Sequence, residues 1–206
     1  GLRRAALGTM LTIINKGLNI NLSKVIENSV SIQPVKIDNK DELISEIREF
    51  IIQRLKIYLN DTYRYDIVDA AMSAKDPLAD LNDLIERIKI LTDLVNSEGY
   101  TSFHESANRI SRIIKDREYK PTPDANLFEQ DVEGKLWNCV QDIESSKLTY
   151  AGIIEKLKSS IPVIEEFFDK VLVMVEDENI RENRVSLLAN MRNQFLKIGD
   201  FSKIVE

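Results

Sequence analysis

The chain has 206 residues, 43% of them hydrophobic and 30% charged, enough to bury a core in one large helical domain or two small ones. Seven glycines and five prolines are too few for the many tight turns of an all-β domain. A net charge of −6 runs against the basic footprint usual in nucleic-acid binders, and a single cysteine excludes an intramolecular disulfide.

The elements follow in chain order. Leu2–Lys16 reads as a first helix with Leu7, Met10, Leu11 and Ile14 on one face and Gly17 as its stop. Gly1 in place of Met, with helix starting at once, reads as the interior of a larger protein. A short helix over about Leu22–Val30 has Asn21 or Ser23 as cap and ends at Gln33-Pro34. Asn39 and Glu42 fit a capping box that opens a long helix to about Asn60, with Leu43, Ile47, Phe50, Ile51, Leu55 and Tyr58 as its apolar stripe. Asp66 can cap a short helix, and Asp76-Pro77 opens another that runs to Gly99. Ser102 is the expected cap of the next helix, which reaches about Glu118. Pro121-Thr122-Pro123 then forms a stiff joint. Further helices are expected from about Leu127 to Ser145, from Thr149 to Leu157, from Ser160 (with Pro162 in the first turn) through Val175, and finally to about Lys197 with Gly199 as stop. The fold expected is all-α, an antiparallel bundle of roughly eight to ten helices. The division expected is 1–34 and 35–206, with a flexible joint near 118–127.

Chemistry is sparse. Cys139 sits in a helical pattern beside Trp137 and reads as a small buried apolar residue. His104 is the only histidine, too few for a zinc site, and reads as partly exposed near a helix start. No Gly-rich phosphate loop and no catalytic constellation is present. No apolar run approaches the roughly 20 residues that span a membrane. With no signal peptide and one thiol, a reducing cytosol is the expected setting.

Charge is uneven. Residues 1–24 carry four cations and no acid, and residues 104–120 carry five Lys or Arg against three acids. At 100° per residue, Phe103, Ala107, Ile110, Ile113 and Ile114 share one side of a helix. Asn108, Arg112 and Lys115 share the other. That row is either a solvated face or a surface for phosphates and base edges. Further along, Arg184 and Arg192 project near the side of Leu188, Met191 and Phe195. An arginine beside an apolar face needs a partner, because burying an unpaired charge is costly. Asp169, Asp177 and Glu178 are the nearest carboxylates in sequence. Arg184 therefore reads as a structural ion pair with Asp169 or Asp177, or else as an arginine lining a groove.

Several stretches resemble one family. Leu2-Arg3-Arg4-Ala5-Ala6-Leu7-Gly8, Arg54-Leu55 with Tyr65-Asp66-Ile67-Val68-Asp69-Ala70, and Phe167-Phe168-Asp169-Lys170-Val171-Leu172-Val173-Met174-Val175-Glu176-Asp177 resemble segments of the bacterial glycyl-tRNA synthetase β subunit, in the same order. Asn183-Arg184-Val185 and Asp200-Phe201-Ser202 continue the likeness. Ala107-Asn108-Arg109-Ile110 is similar to a segment there and in the anticodon-binding domain of arginyl-tRNA synthetase. The resemblance implies the C-terminal helical, anticodon-binding region of a class II ligase subunit, with no catalysis of its own. It also implies tRNA-Gly and an α subunit as partners in a heterotetramer, ATP and Mg bound elsewhere, no metal here, and an HD-like domain upstream. On that basis Asn108, Arg109, Arg112 and Lys115 are candidates for touching tRNA, with Arg192 and Asn193 beside them. The competing readings are a helical protein–protein module, which the acidic charge favours, and an HD-type hydrolase remnant, which one histidine disfavours.

Overall fold

The computed structural model describes residues 1–115 and 117–205, and among them all regular structure is helical. Nine α-helices are present: α1 Leu2–Lys16, α2 Leu22–Ser31, α3 Lys40–Asn60, α4 Tyr65–Ala74, α5 Leu81–Val95, α6 Tyr100–Ile114, α7 Asp131–Ser145, α8 Tyr150–Lys170 and α9 Glu178–Leu196. Two 3-10 turns, Ala125–Leu127 and Phe201–Lys203, complete the set. The chain forms two compact units, Gly1–Thr92 and Asp93–Glu206.

In the first unit, α3 packs on α1, α2 and α4. Local chemistry sets the boundaries. Gly17 ends α1 in the left-handed conformation (φ 59°), Asn21 caps α2 by accepting from Lys24 N–H, and Asn39 accepts from Glu42 N–H at 3.1 Å while its amide meets the Glu42 carboxylate. The α5 stripe of Leu81, Leu84, Ile88 and Leu91 is fully buried. Arg87 is buried among them because Asp83 and the Ala71 carbonyl satisfy its guanidinium. Asp76 ties α2 to α3: it accepts from Ser23 Oγ (2.6 Å), Arg48 Nη2 (2.9 Å) and Leu78 N–H (3.0 Å). The apolar stripe of α3 is half-buried over Leu43–Ile51, where it lines with Leu2, Ala5 and Ala6 an apolar groove of about 520 Å³.

In the second unit, α7 packs on α8 and α9, and α6 on α8 and α9. Several boundaries differ from the local signals. Asp80, not Asp76, caps α5 by accepting from Asn82 and Asp83 N–H, and Asp76-Pro77 forms a preceding turn. Ser102 lies inside α6, which starts after Gly99 at φ 77°. Residues 150–170 form one helix in place of two. Ser160 Oγ bonds back to the Lys156 carbonyl and caps nothing, Pro162 sits inside α8, and Ile153, Leu157, Ile161, Ile164 and Phe167 make one buried stripe along it. Continuous packing outweighs the hydrogen bond that Pro162 removes. That helix stops at Lys170, so Val171–Val175 is not helical and Leu172 is exposed. Cys139 is half-buried.

Candidate functional site

Three aromatic rings fix the geometry of the second unit's polar face. Phe103 of α6, Phe195 of α9 and Phe201 of the C-terminal turn meet edge to face, with centroids 5.1 to 5.9 Å apart. Their contact joins the first turn of α6 to the end of α9 and the C-terminal turn. The same elements line a groove of about 580 Å³. From α6 and the residues after it come Asn108, Ser111, Arg112, Ile114, Lys115, Arg117 and Tyr119, from α9 Arg192, and from the C-terminal turn Ser202 and Lys203.

The expected row Asn108, Arg112 and Lys115 therefore lines one groove, joined by Arg192 from a helix 80 residues later in sequence. Arg109 lies elsewhere: its guanidinium stacks on the Phe168 ring at 4.1 Å and ties α6 to α8. Asn193 is exposed and does not line the groove. Local pattern did not indicate Arg117, Tyr119, Ser202 and Lys203. α6 ends at Ile114, short of the expected Glu118, so the first two lie beyond the helix, and the last two sit in the C-terminal turn.

Five groove residues are cationic: Arg112, Lys115, Arg117, Arg192 and Lys203. Among the described residues no carboxylate lines the groove, and none of the five cations forms a salt bridge. Arg117 Nε donates to the Ile113 carbonyl, at 2.8 Å. Concentrated positive potential of this kind attracts polyanions even to a protein of negative net charge. Tyr119, 41% exposed, stands at the edge. His104 is buried beneath, stacked on Tyr100 at 5.4 Å, and not partly exposed as its place near the helix start suggested. Its Nε2 lies 3.0 Å from Asn108 Nδ2 and 3.2 Å from the Phe201 carbonyl. With Nε2 unprotonated it accepts from the Asn108 amide; protonated, it donates to Phe201.

A polar rail on α9 places Tyr119. Ser186 Oγ donates to the Lys120 carbonyl (2.7 Å), Asn190 Nδ2 to the Pro121 carbonyl (2.9 Å) and Asn183 Nδ2 to the Asp124 carbonyl (3.0 Å). Asn183 Oδ1 accepts Asp124 N–H at 2.6 Å. Prolines 121 and 123 carry no N–H, so the segment leaves mainly carbonyls to satisfy, and α9 supplies the donors. Residues 120, 121 and 124 are thus bonded to α9. Asn183, Ser186 and Asn190 fall at i, i+3 and i+7, a polar stripe inside an otherwise buried helix. That spacing was the available signal for the rail.

Arg184 has carboxylate partners, but not Asp169 or Asp177. Its Nε meets Glu133 Oε1 at 3.0 Å, Nη2 meets Glu129 Oε2 at 2.7 Å, and Nη1 donates to the Leu172 carbonyl. Glu133 is fully buried, and its other oxygen accepts the N–H groups of Glu129 and Gln130 at the start of α7, both at 2.8 Å. Asp177 instead caps α9 through Ile180 N–H, and Asp169 is exposed. The ion pair locks α7 to α9 and leaves Arg184 outside the groove. No cluster of three metal-ligating side chains and no helix long and apolar enough to cross a membrane occurs among the described residues.

Comparison with known proteins adds a relationship. A family model described as glycyl-tRNA synthetase beta subunit matches residues 1–73. The glycine–tRNA ligase beta subunit of Aquifex aeolicus is 33% identical over 205 residues, covering all of this chain and 29% of that protein. The protein of the same name from Trichlorobacter lovleyi is 30% identical over 210 residues, covering 98% of this chain and 30% of its own length. That from Pseudoalteromonas atlantica is 29% identical over 211 residues, with 98% and 30% covered. The chain thus spans about 30% of the length of these curated relatives.

Proposed function

The chain belongs to the glycyl-tRNA synthetase β-subunit family, and from that premise we propose that it is the C-terminal, tRNA-binding region of such a subunit. The groove between α6, α9 and the C-terminal turn is the surface that receives the anticodon loop. In this reading the region makes no bond itself. It holds tRNA-Gly while the α subunit, with ATP and Mg, attaches glycine elsewhere in the assembly.

One observation carries the reading: five cations, with no carboxylate among the described lining residues, line a single groove of a chain whose net charge is −6. Arg112, Lys115, Arg117 and Lys203 suit phosphates. Tyr119 offers a ring on which an unpaired loop base can stack. Measuring tRNA-Gly affinity of the full-length β subunit by fluorescence anisotropy tests it. Arg112→Glu, exposed and outside every packed contact of the helix, is expected to weaken binding by about tenfold while leaving the helical circular dichroism and melting temperature unchanged. Unchanged affinity would exclude the groove.

A second reading, a protein-binding helical module, draws on the first unit. There Leu2, 80% exposed, with Ala5, Leu43, Ile47, Phe50 and Ile51, forms an apolar groove suited to another polypeptide surface. A chain that binds protein through that groove and ignores tRNA at every salt concentration would favour it.

A further inference from the structure

Two atoms in the basic groove are unlike its cationic rim. Asn108 Oδ1, on α6, and Arg192 Nε, on α9, are both screened from solvent, and neither has a hydrogen-bond partner among the described residues. Native proteins leave few desolvated polar atoms unsatisfied, because each forfeits its bonds to water without replacement. Gln194 Oε1 is another such atom, but it does not line the groove. Asn108 and Arg192 do, from two helices that the Phe103–Phe195 contact holds together.

Their chemistry is complementary. With Asn108 Nδ2 engaged by His104 Nε2, Oδ1 is left as an unpaired acceptor, while Arg192 Nε–H is an unpaired donor. A phosphate presents only acceptors. It can satisfy Arg192 and is repelled by Asn108 Oδ1. A nucleobase edge presents a donor beside an acceptor, which suits both. The rim side chains are long and exposed, so they can swing onto phosphates as the base edge reaches the floor.

Resting on the tRNA-binding reading above, we propose that the groove divides its labour: Arg112, Lys115, Arg117 and Lys203 hold the backbone, and Asn108 with Arg192 reads the edge of one unpaired base. Arg192 is then a reader and not simply a fifth phosphate cation. Arg192→Lys separates the two roles, since lysine keeps the charge and loses the Nε–H.

The test compares the full-length β subunit with its α partner, as wild type, Arg192→Lys, Asn108→Ala and Arg112→Glu. Each is titrated with tRNA-Gly, with tRNA-Gly carrying single anticodon substitutions, and with tRNA-Gly carrying single 2′-deoxy substitutions in that loop. Melting temperatures verify the fold, and Arg192→Lys serves should Asn108→Ala lose it. Wild type should prefer the native loop. Arg192→Lys and Asn108→Ala should each shrink that preference by about tenfold at one position, with the salt dependence unchanged. Arg112→Glu should weaken every tRNA alike and reduce the salt dependence. Preference retained in both floor variants, or absent in wild type, overturns the proposal and leaves the groove reading standing. Sensitivity to 2′-deoxy substitution that the floor variants lose, with base preference kept, overturns it in favour of a ribose contact. If Arg112→Glu changes neither affinity nor salt dependence, the groove reading fails and the base-reading role falls with it.

Discussion

At the scale of single residues, Arg184 and Asp76 show how charges are made tolerable inside the two units. Arg184 is 4% exposed, and Glu133, its partner, is fully buried. Removing the arginine leaves Glu133 with a charge and no counter-ion, a loss of about 3–5 kcal/mol for a broken buried pair. Arg184→Leu should accordingly lower the thermal midpoint sharply. Arg184→Leu combined with Glu133→Gln should recover part of it, which a double-mutant cycle of unfolding energies measures. Asp76 adds a pH dependence. Partial burial pushes its carboxyl up, but the hydrogen bonds from Ser23, Arg48 and Leu78 and the charge of Arg48 outweigh that and hold it below its ordinary value of 3.8. Between the folded and unfolded values the unfolded chain binds the extra proton, so stability rises with pH there. The contribution is complete above about pH 4–5 and is lost as pH falls through the depressed value. In Asp76→Asn, acid unfolding followed by circular dichroism should lose that part of its pH dependence, with lower stability at neutral pH.

At the scale of elements, the α9 rail governs where Tyr119 stands. Ser186→Ala and Asn190→Leu each remove a donor to a backbone carbonyl of the segment that follows Tyr119, at about 1–2 kcal/mol each. The double variant should lose tRNA affinity with every groove charge intact, and hydrogen exchange over 117–124 should speed up. Undisturbed exchange would show that the segment holds its path without α9. Much of this level was legible in the residues. The caps at Asn21 and Asn39, the stop at Gly17 and the i, i+4, i+7 row on α6 are local, and local rules found them. What escaped depends on distance. Arg184 reads by proximity as a partner of Asp169 or Asp177, yet its carboxylates lie 51 and 55 residues away. Ser160-Ile161-Pro162 carries every local sign of a helix start, and the buried stripe of α8 runs straight through it.

At the scale of the whole molecule, total charge hides its distribution. A net charge of −6 argues against a polyanion partner, whereas the groove concentrates five cations. Sequence shows the sum and a row of three; only the fold shows where the rest collect. If the four rim cations Arg112, Lys115, Arg117 and Lys203 meet phosphates of a single-stranded loop, the slope of log affinity against log salt should be about −3, becoming shallower by about 1 in Arg112→Glu. A flat salt series would mean that the cations do not touch the tRNA backbone.

The rail on α9 has one more consequence. Its bonds from Ser186, Asn190 and Asn183 run to main-chain carbonyls, not to the side chains of the segment. The route of residues 120–124 is thus written on a different helix from the groups that the segment presents. Route and content can then change independently. An exchange such as Tyr119→Trp alters what stands at the groove's edge without asking the main chain to move, so relatives and engineered versions can retune recognition one side chain at a time while α9 keeps the path.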